Sequence, residues 1–214
     1  MIKVAIIINA YRKRSERIQT VIQTCVKSKL IDTIVYTTTG QNDAKNFAIE
    51  SCENKMDIIV AIGGDGTVNE IVNGIMTSNM HIPKLAVIPN GTGNDFVRSM
   101  QLKCDLTAFY DAIISESYQM VDVGRIDYND QKHFFVNIGD VGFGGKVVQV
   151  LDKQRSYMGG KASYALAILR SFIGYRRPVL QILGDNFQYE GIVLIVAFCN
   201  GSIFGNGIVI NPFA

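Results

Sequence analysis

The stretch Asp57–Ile75 reads DIIVAIGGDGTVNEIVNGI, and Lys84–Phe96, shortly after it, reads KLAVIPNGTGNDF. Each carries an apolar run of strand length that ends in a glycine-rich turn. A continuous apolar run marks a strand covered on both faces, as in a parallel sheet. After the first turn, Ile71, Val72 and Ile75 fall on one side of a helix. Two strand–turn–helix units in succession place both glycine turns at the carboxyl edge of one sheet, where open α/β folds bind ligands.

The flanking sequence repeats the alternation. Lys3–Ile8 is an apolar strand, and Ile18, Val21, Ile22, Cys25 and Val26 recur at helical spacing. Thr33–Thr38 is β-branched and strand-like, and Ala44, Phe47, Ala48 and Cys52 mark a second amphipathic helix. Leu106, Phe109, Ile113 and Ile114 mark a further one. This order predicts a parallel sheet with helices on both faces. Near Tyr118 the pattern changes. Tyr118–Tyr128 and Lys132–Ile138 are strand-like around an Asn129-Asp130 turn, and Pro178–Leu183 and Phe187–Phe198 repeat the device around Gly184-Asp185-Asn186. Helices are predicted near Lys146–Leu151 and Lys161–Ile173. The chain therefore divides into an α/β domain over residues 1–121 and a mainly antiparallel β domain over residues 122–214.

Composition removes several function classes. A net charge of +2 gives no reason to expect nucleic acid as a partner. His81 and His133 are the only histidines, too few for a His-rich metal site. There is no GxxxxGK, no GxSxG, and no GxGxxG after the first strand, which argues against P-loop, serine hydrolase and dinucleotide oxidoreductase chemistry. Cys25, Cys52, Cys104 and Cys199 are scattered without a CxxC pair, as expected of reduced thiols in a cytoplasmic protein. No apolar run reaches the length of a membrane span, and no signal peptide is visible.

The turns carry the chemistry. Gly63, Gly64 and Gly66 let backbone N–H groups close around a phosphate, and the following helix start adds partial positive charge. Asp65 in such a turn suits a magnesium ion or its water. Asp95 comes from the neighbouring turn, and two carboxylates in one crevice fit metal-assisted phosphoryl transfer. Each feature also has a plain structural reading. Thr67-x-x-Glu70 spells a helix capping box, and Asn94 or Asp95 suits the cap of a short helix ending near Met100. Asn9 and Thr38 end the first two strands on the same edge. Arg12, Lys13 and Arg14 either steer a polyphosphate or begin a solvated helix.

GGDGT with Asn69-Glu70, followed by PNGTGNDF, resembles the catalytic domain of the diacylglycerol kinase superfamily, and most of all its soluble bacterial lipid kinases. Further matches are Asn9, Tyr36-Thr37-Thr38, Val121-Asp122-Val123-Gly124, Phe135–Ile138, Gly142-Phe143-Gly144, Asn200-Gly201, Gly205-Asn206-Gly207 and Pro212-x-Ala214. The resemblance implies an ATP-binding α/β domain like that of diacylglycerol and NAD kinases, then a β-sandwich domain, incomplete here, with lipid entering between the two. It implies transfer of the γ-phosphoryl group of ATP to a diacylglycerol-like lipid hydroxyl. By match, the nucleotide set is Asn9, Thr38, Gly63, Gly64, Asp65, Gly66, Thr67, Asn69, Glu70, Gly91 and Thr92. Asp65 and Asp95 belong to the catalytic and Mg2+–water network. The alternatives are a non-catalytic nucleotide- or lipid-binding relative, and an NAD kinase-type enzyme.

Two departures accompany the match. The family usually carries Pro and a nearby Gly after the first-strand asparagine, whereas Asn9 is followed by Ala10-Tyr11-Arg12-Lys13-Arg14. The family's catalytic-base glutamate follows its Pro-x-Ala segment and has no counterpart before Ala214. The length therefore reads as a fragment's, expected to bind nucleotide better than it catalyses. The strand near Gly207–Asn211 would be left with an open edge inviting a second copy as a homodimer. Lys153, Arg155, Lys161, Arg170, Arg176 and Arg177, interleaved with Tyr164, Leu166, Ile168, Leu169, Phe172 and Ile173, read either as a peripheral membrane-docking helix or as a helix packed on the sheet with a basic outer face.

Overall fold

The computed structural model describes residues 1–11, 15–102, 106–115, 117–153 and 161–214. Arg12, Lys13, Arg14, Cys104 and Arg155 lie outside the described residues. Two compact units divide at Asn137/Ile138.

The first unit runs β1 (Ile2–Asn9), α1 (Glu16–Lys27), β2 (Ile31–Thr38), α2 (Asp43–Glu53), β3 (Ile58–Gly63), α3 (Asp65–Ser78), β4 (Lys84–Pro89), α4 (Asp95–Ser99), α5 (Leu106–Ile114), β5 (Gly124–Tyr128) and β6 (Gln131–Phe135). The first four strands form one parallel sheet in the order β2-β1-β3-β4. Alternate side chains of the buried runs serve opposite cores. Ala5, Ile7, Ile59 and Ala61 meet Ala48 and Cys52 of α2 and Ile71 and Val72 of α3. Val4, Ile6, Ile8, Val60 and Ile62 meet Ile18, Val21 and Cys25 of α1 and Ile113 of α5. Both faces are thus covered, which is why these strands read as unbroken apolar runs. Helices α2 and α3 approach closely at Gly74, where a Cβ would overlap the Lys45 carbonyl and lie 2.7 Å from Ala48 Cβ.

Several local expectations are revised. Val26, at a helical position read as apolar, is 56% exposed. The strand expected from Tyr118 begins only at Gly124. Val121 and Val123 instead pack against the α2–α3 core without pairing. The Asn129-Asp130 turn is as expected, both residues having positive φ (49° and 60°) that match a type I′ hairpin. The β5–β6 hairpin belongs to the first compact unit, whereas the change of pattern places it in the β domain over residues 122–214. Asn73 of α3 grips the backbone of Phe134, and Val136 is buried in the α2–α3 core.

The second unit contains β7 (Ile138–Gly142), α6 (Phe143–Lys153), α7 (Lys161–Phe172), β8 (Val179–Gly184), β9 (Phe187–Ile192), β10 (Ile195–Cys199), β11 (Ile203–Phe204) and β12 (Ile208–Val209). Its strands pair antiparallel as β7–β10, β8–β9 and β11–β12. The apolar run Phe187–Phe198 is broken at Val193-Leu194, where Val193 N–H bonds the Pro178 carbonyl and the Leu194 carbonyl accepts from Phe143 N–H. Phe143, Val147 and Ala167 form the core between α6 and α7, with Phe143 against the rings of Phe172 and Tyr175 at 4.4 and 5.1 Å. No helix among the described residues is long and apolar enough to cross a membrane.

Asp140 of β7 is a charged residue in a poor place for charge. Its Oδ2 is buried without a hydrogen-bond partner, and burial pushes its carboxyl above the usual aspartate range against a bond from the Gly145 N–H. A carboxyl whose folded pKa is raised binds its proton more tightly folded than unfolded. Its stabilising effect is therefore present at low pH and is lost as pH rises through the window above the unfolded value of about 4. Asp140→Asn, neutral throughout, is expected to raise Tm at pH 7. The difference should shrink as pH falls toward about 4. Thermal melts of both proteins across that range check this; a constant difference contradicts it.

Candidate functional site

The sheet register places the predicted residues side by side. Asn9 pairs with Thr38, Ile8 with Ile62, and Gly63 with Pro89. The carboxyl edge therefore presents Thr38, Asn9, Gly63 and the turn after Pro89 in one row. Strand β1 leads outward to β2, whereas β3 and β4 lie on its other side, so the crevice falls at the topological switch point between β1 and β3.

The first turn feeds directly into α3. Gly64 is the N-cap in an extended conformation, and no side chain caps the helix. Thr67 lies inside the first turn, so the capping-box reading of Thr67 and Glu70 does not hold. The helix begins three residues before the position that motif requires. Thr67 Oγ1 instead accepts from Asn9 Nδ2 at 3.1 Å, and Asn9 Oδ1 accepts from Tyr11 N–H at 2.9 Å. A Cβ on Gly63 would overlap the Thr67 side chain, so glycine there lets Thr67 lie back on the strand. Thr38 is buried and accepts from Ala10 N–H at 3.4 Å. Asn9, Thr38 and Thr67 thus brace the edge. The hydroxyl of Tyr36 is turned toward α2, donating to Glu50 at 3.0 Å; burial, then this acidic partner, pushes its phenol up to about 12.

Gly66 is different. It is exposed, and a Cβ there would meet no protein atom within 4 Å. Alanine at a helical position is worth roughly 0.5–1 kcal/mol over glycine. Nothing in the packing requires glycine here, and its missing side chain keeps open space at an uncapped helix start. The first backbone N–H groups of α3 have no intrahelical acceptor. Such a start suits a phosphate.

The second turn is folded by Asn94. Its Oδ1 accepts from Gly91 N–H at 2.9 Å and its Nδ2 donates to the Gly91 carbonyl at 3.1 Å, with Asn94 itself at φ 52°. Asn94 therefore occupies the N-cap of α4, as expected, but its side chain closes the turn instead of capping the helix. The two turns touch. A Cβ on Gly91 would lie 2.5 Å from Gly64 Cα, and Phe96 N–H donates to Asp65 Oδ1 at 3.0 Å. Asn90 N–H bonds the Gly63 carbonyl at 2.8 Å.

This contact brings the two acids together. A point one bond from Gly93 Cα lies 3.0 Å from Asp65 Oδ2 and 3.4 Å from Asp95 Oδ2. Asp95 is 6% exposed, with Arg98 Nη1 3.9 Å from its Oδ1. No third His, Cys, Asp or Glu joins them in a metal-binding cluster among the described residues. Thr92 is exposed between Gly91 and Gly93; Asn69 is exposed and Glu70 half-buried in the second turn of α3. Sequence reasoning missed Asn90, whose Nδ2 is buried without a protein acceptor and offers a donor beside the turns. Its side-chain burial depends on the meeting of two distant loops and has no local signal.

Residues 3–126 match the family model described as the diacylglycerol kinase catalytic domain. The chain belongs to the diacylglycerol kinase catalytic-domain family. The match takes in both glycine turns, both carboxylates and all of the parallel sheet but Ile2. A protein of Yersinia enterocolitica named "Probable lipid kinase YegS-like" is 29% identical over 182 residues, covering 84% of this chain and 60% of the relative. A diacylglycerol kinase of Staphylococcus haemolyticus is 33% identical over 174 residues, covering 79% of this chain and 50% of the relative. The chain thus spans about half to three-fifths of the length of these curated relatives. A crystal structure of a diacylglycerol kinase from Bacillus anthracis str. Sterne superposes with a TM-score of 0.66 at 27% identity, covering 96% of this chain and 66% of that one. The diacylglycerol kinase family fold is therefore the observed one: a parallel sheet with helices, then antiparallel strands in small sheets.

Proposed function

We propose that this chain carries the nucleotide side of a lipid kinase that moves the γ-phosphoryl group of ATP to the hydroxyl of a diacylglycerol-like lipid. The observation that carries the proposal is the convergence of Asp65 and Asp95 over Gly93, beside the uncapped start of α3. Gly63, Gly64, Gly66, Gly91 and Thr92 supply backbone close to the phosphates. Asn9, Thr38 and Thr67 keep the edge in shape, and Asn69 and Glu70 lie one turn further along the same helix. The open space at Gly66 and the buried amide of Asn90 fit an anionic group. Asp65 and Asp95 would hold Mg2+, which would supply charge neutralisation at the phosphates. In the reaction the lipid oxygen bonds to the γ-phosphorus as the bond to the β–γ bridging oxygen breaks. ADP leaves with that electron pair, and the hydroxyl proton passes to a base.

The test offers the full-length protein Mg2+ and γ-labelled ATP with micelles containing diacylglycerol, ceramide or phosphatidylglycerol, and separately with NAD. Label in diacylglycerol is the expected result. Label in NADP alone, or ATP binding by calorimetry without transfer to any acceptor, overturns it.

Such an enzyme meets its substrate at a membrane surface, and we propose the end of α7 as the contact. Tyr164, Ala167 and Ile168 pack inward against α6, whereas the plain reading expected packing on a sheet. Leu169, Phe172 and Ile173 are 66%, 54% and 79% exposed, next to exposed Arg170, Arg176 and Arg177. A basic residue near an anionic surface is worth about 1 kcal/mol. Reversing Arg170, Arg176 and Arg177 to Glu is expected to weaken binding to phosphatidylglycerol vesicles by about 10²-fold or more. Sedimentation with vesicles measures this, and unchanged pelleting contradicts it.

A further inference from the structure

Two side chains outside the nucleotide set reach the same short segment from different helices. Asn73 lies in α3 and is buried, 9% exposed. Its Nδ2 donates to the Phe134 carbonyl at 2.8 Å, and its Oδ1 accepts from Phe134 N–H at 2.9 Å. The same Nδ2 also donates to the Asn69 carbonyl at 2.8 Å. Asparagine is a poor helix-interior residue because its amide competes for backbone groups. Here it imitates a strand neighbour for Phe134. Ser99, the last residue of α4, donates its hydroxyl to Asn137 Oδ1 at 3.1 Å. Between these two grips, Val136 is buried in the core.

The helices concerned are the two that the glycine turns begin. Helix α3 follows Gly63-Gly64 and carries Asp65; α4 follows Gly91–Asn94 and carries Asp95. At their near ends they are joined by the Phe96–Asp65 hydrogen bond and the Gly64–Gly91 approach. Further along, Asn73 from the middle of α3 and Ser99 from the end of α4 are both tied to Phe134–Asn137. The result is a closed ring of contacts with the two carboxylates on it.

We propose that Asn73 and Ser99 are positioning residues that fix Asp65 against Asp95 through Phe134–Asn137. The inference rests on the lipid-kinase reading for its kinetic consequence, but not for its structural one. Misplacing reacting groups by about 1 Å costs on the order of 10²-fold in rate. A clamp at the far end of a short helix commands a part of that.

Ser99 carries the test because it is only half-buried, whereas Asn73→Ala would strand two backbone groups of Phe134. In Ser99→Ala of the full-length protein, kcat for lipid phosphorylation is expected to fall about 10-fold, with KM for Mg-ATP and Tm nearly unchanged and with recovery in Ser99→Thr. Independently of activity, amide hydrogen exchange at Phe96 is expected to quicken about 10-fold, because its acceptor Asp65 loses its fixed position. Unchanged exchange at Phe96 overturns the inference. So does a fall in Tm with kcat unchanged, which would mark a stabilising contact alone. If the full-length wild-type protein labels no lipid, the lipid-kinase reading fails and the exchange measurement alone decides this one.

Discussion

Asp65→Asn is expected to reduce phosphoryl transfer by about 10²–10³-fold, the cost of removing one preorganised electrostatic contact, while leaving the fold intact. The two effects separate because the substitution keeps shape and removes charge. The amide oxygen of Asn can still accept from Phe96 N–H, the bond that ties Asp65 to the second turn at 3.0 Å. The structural loss is the attraction between a carboxylate and the α3 start, worth roughly 0.3–1 kcal/mol. The catalytic loss, ~2.7–4 kcal/mol by the same rate factor, is several times larger. Steady-state transfer to diacylglycerol and a thermal melt measure the two sides. More than a tenth of wild-type kcat in a normally folded Asp65→Asn protein would remove Asp65 from the chemistry. Asp95→Asn is a poorer probe of the same point, because Asp95 is almost fully buried and its replacement disturbs α4 as well.

The parts legible in the sequence are those whose signal is local. Val4–Ile8 reads as a strand because every side chain is apolar, and every one is buried, alternating between two cores. The two glycine turns are legible because glycines clustered directly after an apolar run mark a sharp turn at a strand's end. Asn129-Asp130 is legible because few residue pairs accept positive φ at both positions. What failed depends on distant partners. Thr67 and Glu70 carry a complete capping signature, yet Gly64 takes the cap because Thr67 is held by Asn9, a residue far away in the chain. Val121 and Val123 have strand composition but spend it on the core. Val193-Leu194 interrupts an apolar run because Pro178 and Phe143 claim its backbone groups. Asn73 and Asn90 matter only once Phe134 and Gly63 lie beside them.

The same distinction separates two glycines that the sequence writes alike. Gly91→Ala is expected to cost about 1–3 kcal/mol of stability through overpacking and, in addition, on the order of 10² in transfer rate. The new methyl would lie 2.5 Å from Gly64 Cα and 2.7 Å from Asn94 Oδ1, against a preferred carbon–carbon separation of about 3.5–4.0 Å. One obstacle is backbone, and the other is a side chain held at both its polar atoms by Gly91 itself. Neither can swing aside, so the turns must part, and parting them pulls Asp65 from Phe96. Gly66→Ala meets nothing in the protein and should match or exceed wild-type stability by up to roughly 1 kcal/mol. Its methyl would instead occupy the open space at the α3 start, so Mg-ATP affinity should fall while Tm holds. Melting curves and nucleotide titrations of the two variants are expected to move in opposite combinations. Gly91→Ala loses stability and rate together, and Gly66→Ala loses nucleotide affinity alone. If Gly66→Ala binds Mg-ATP as tightly as wild type, the phosphates do not approach the first turn of α3, and the assignment of that turn to the nucleotide fails even though the fold is right.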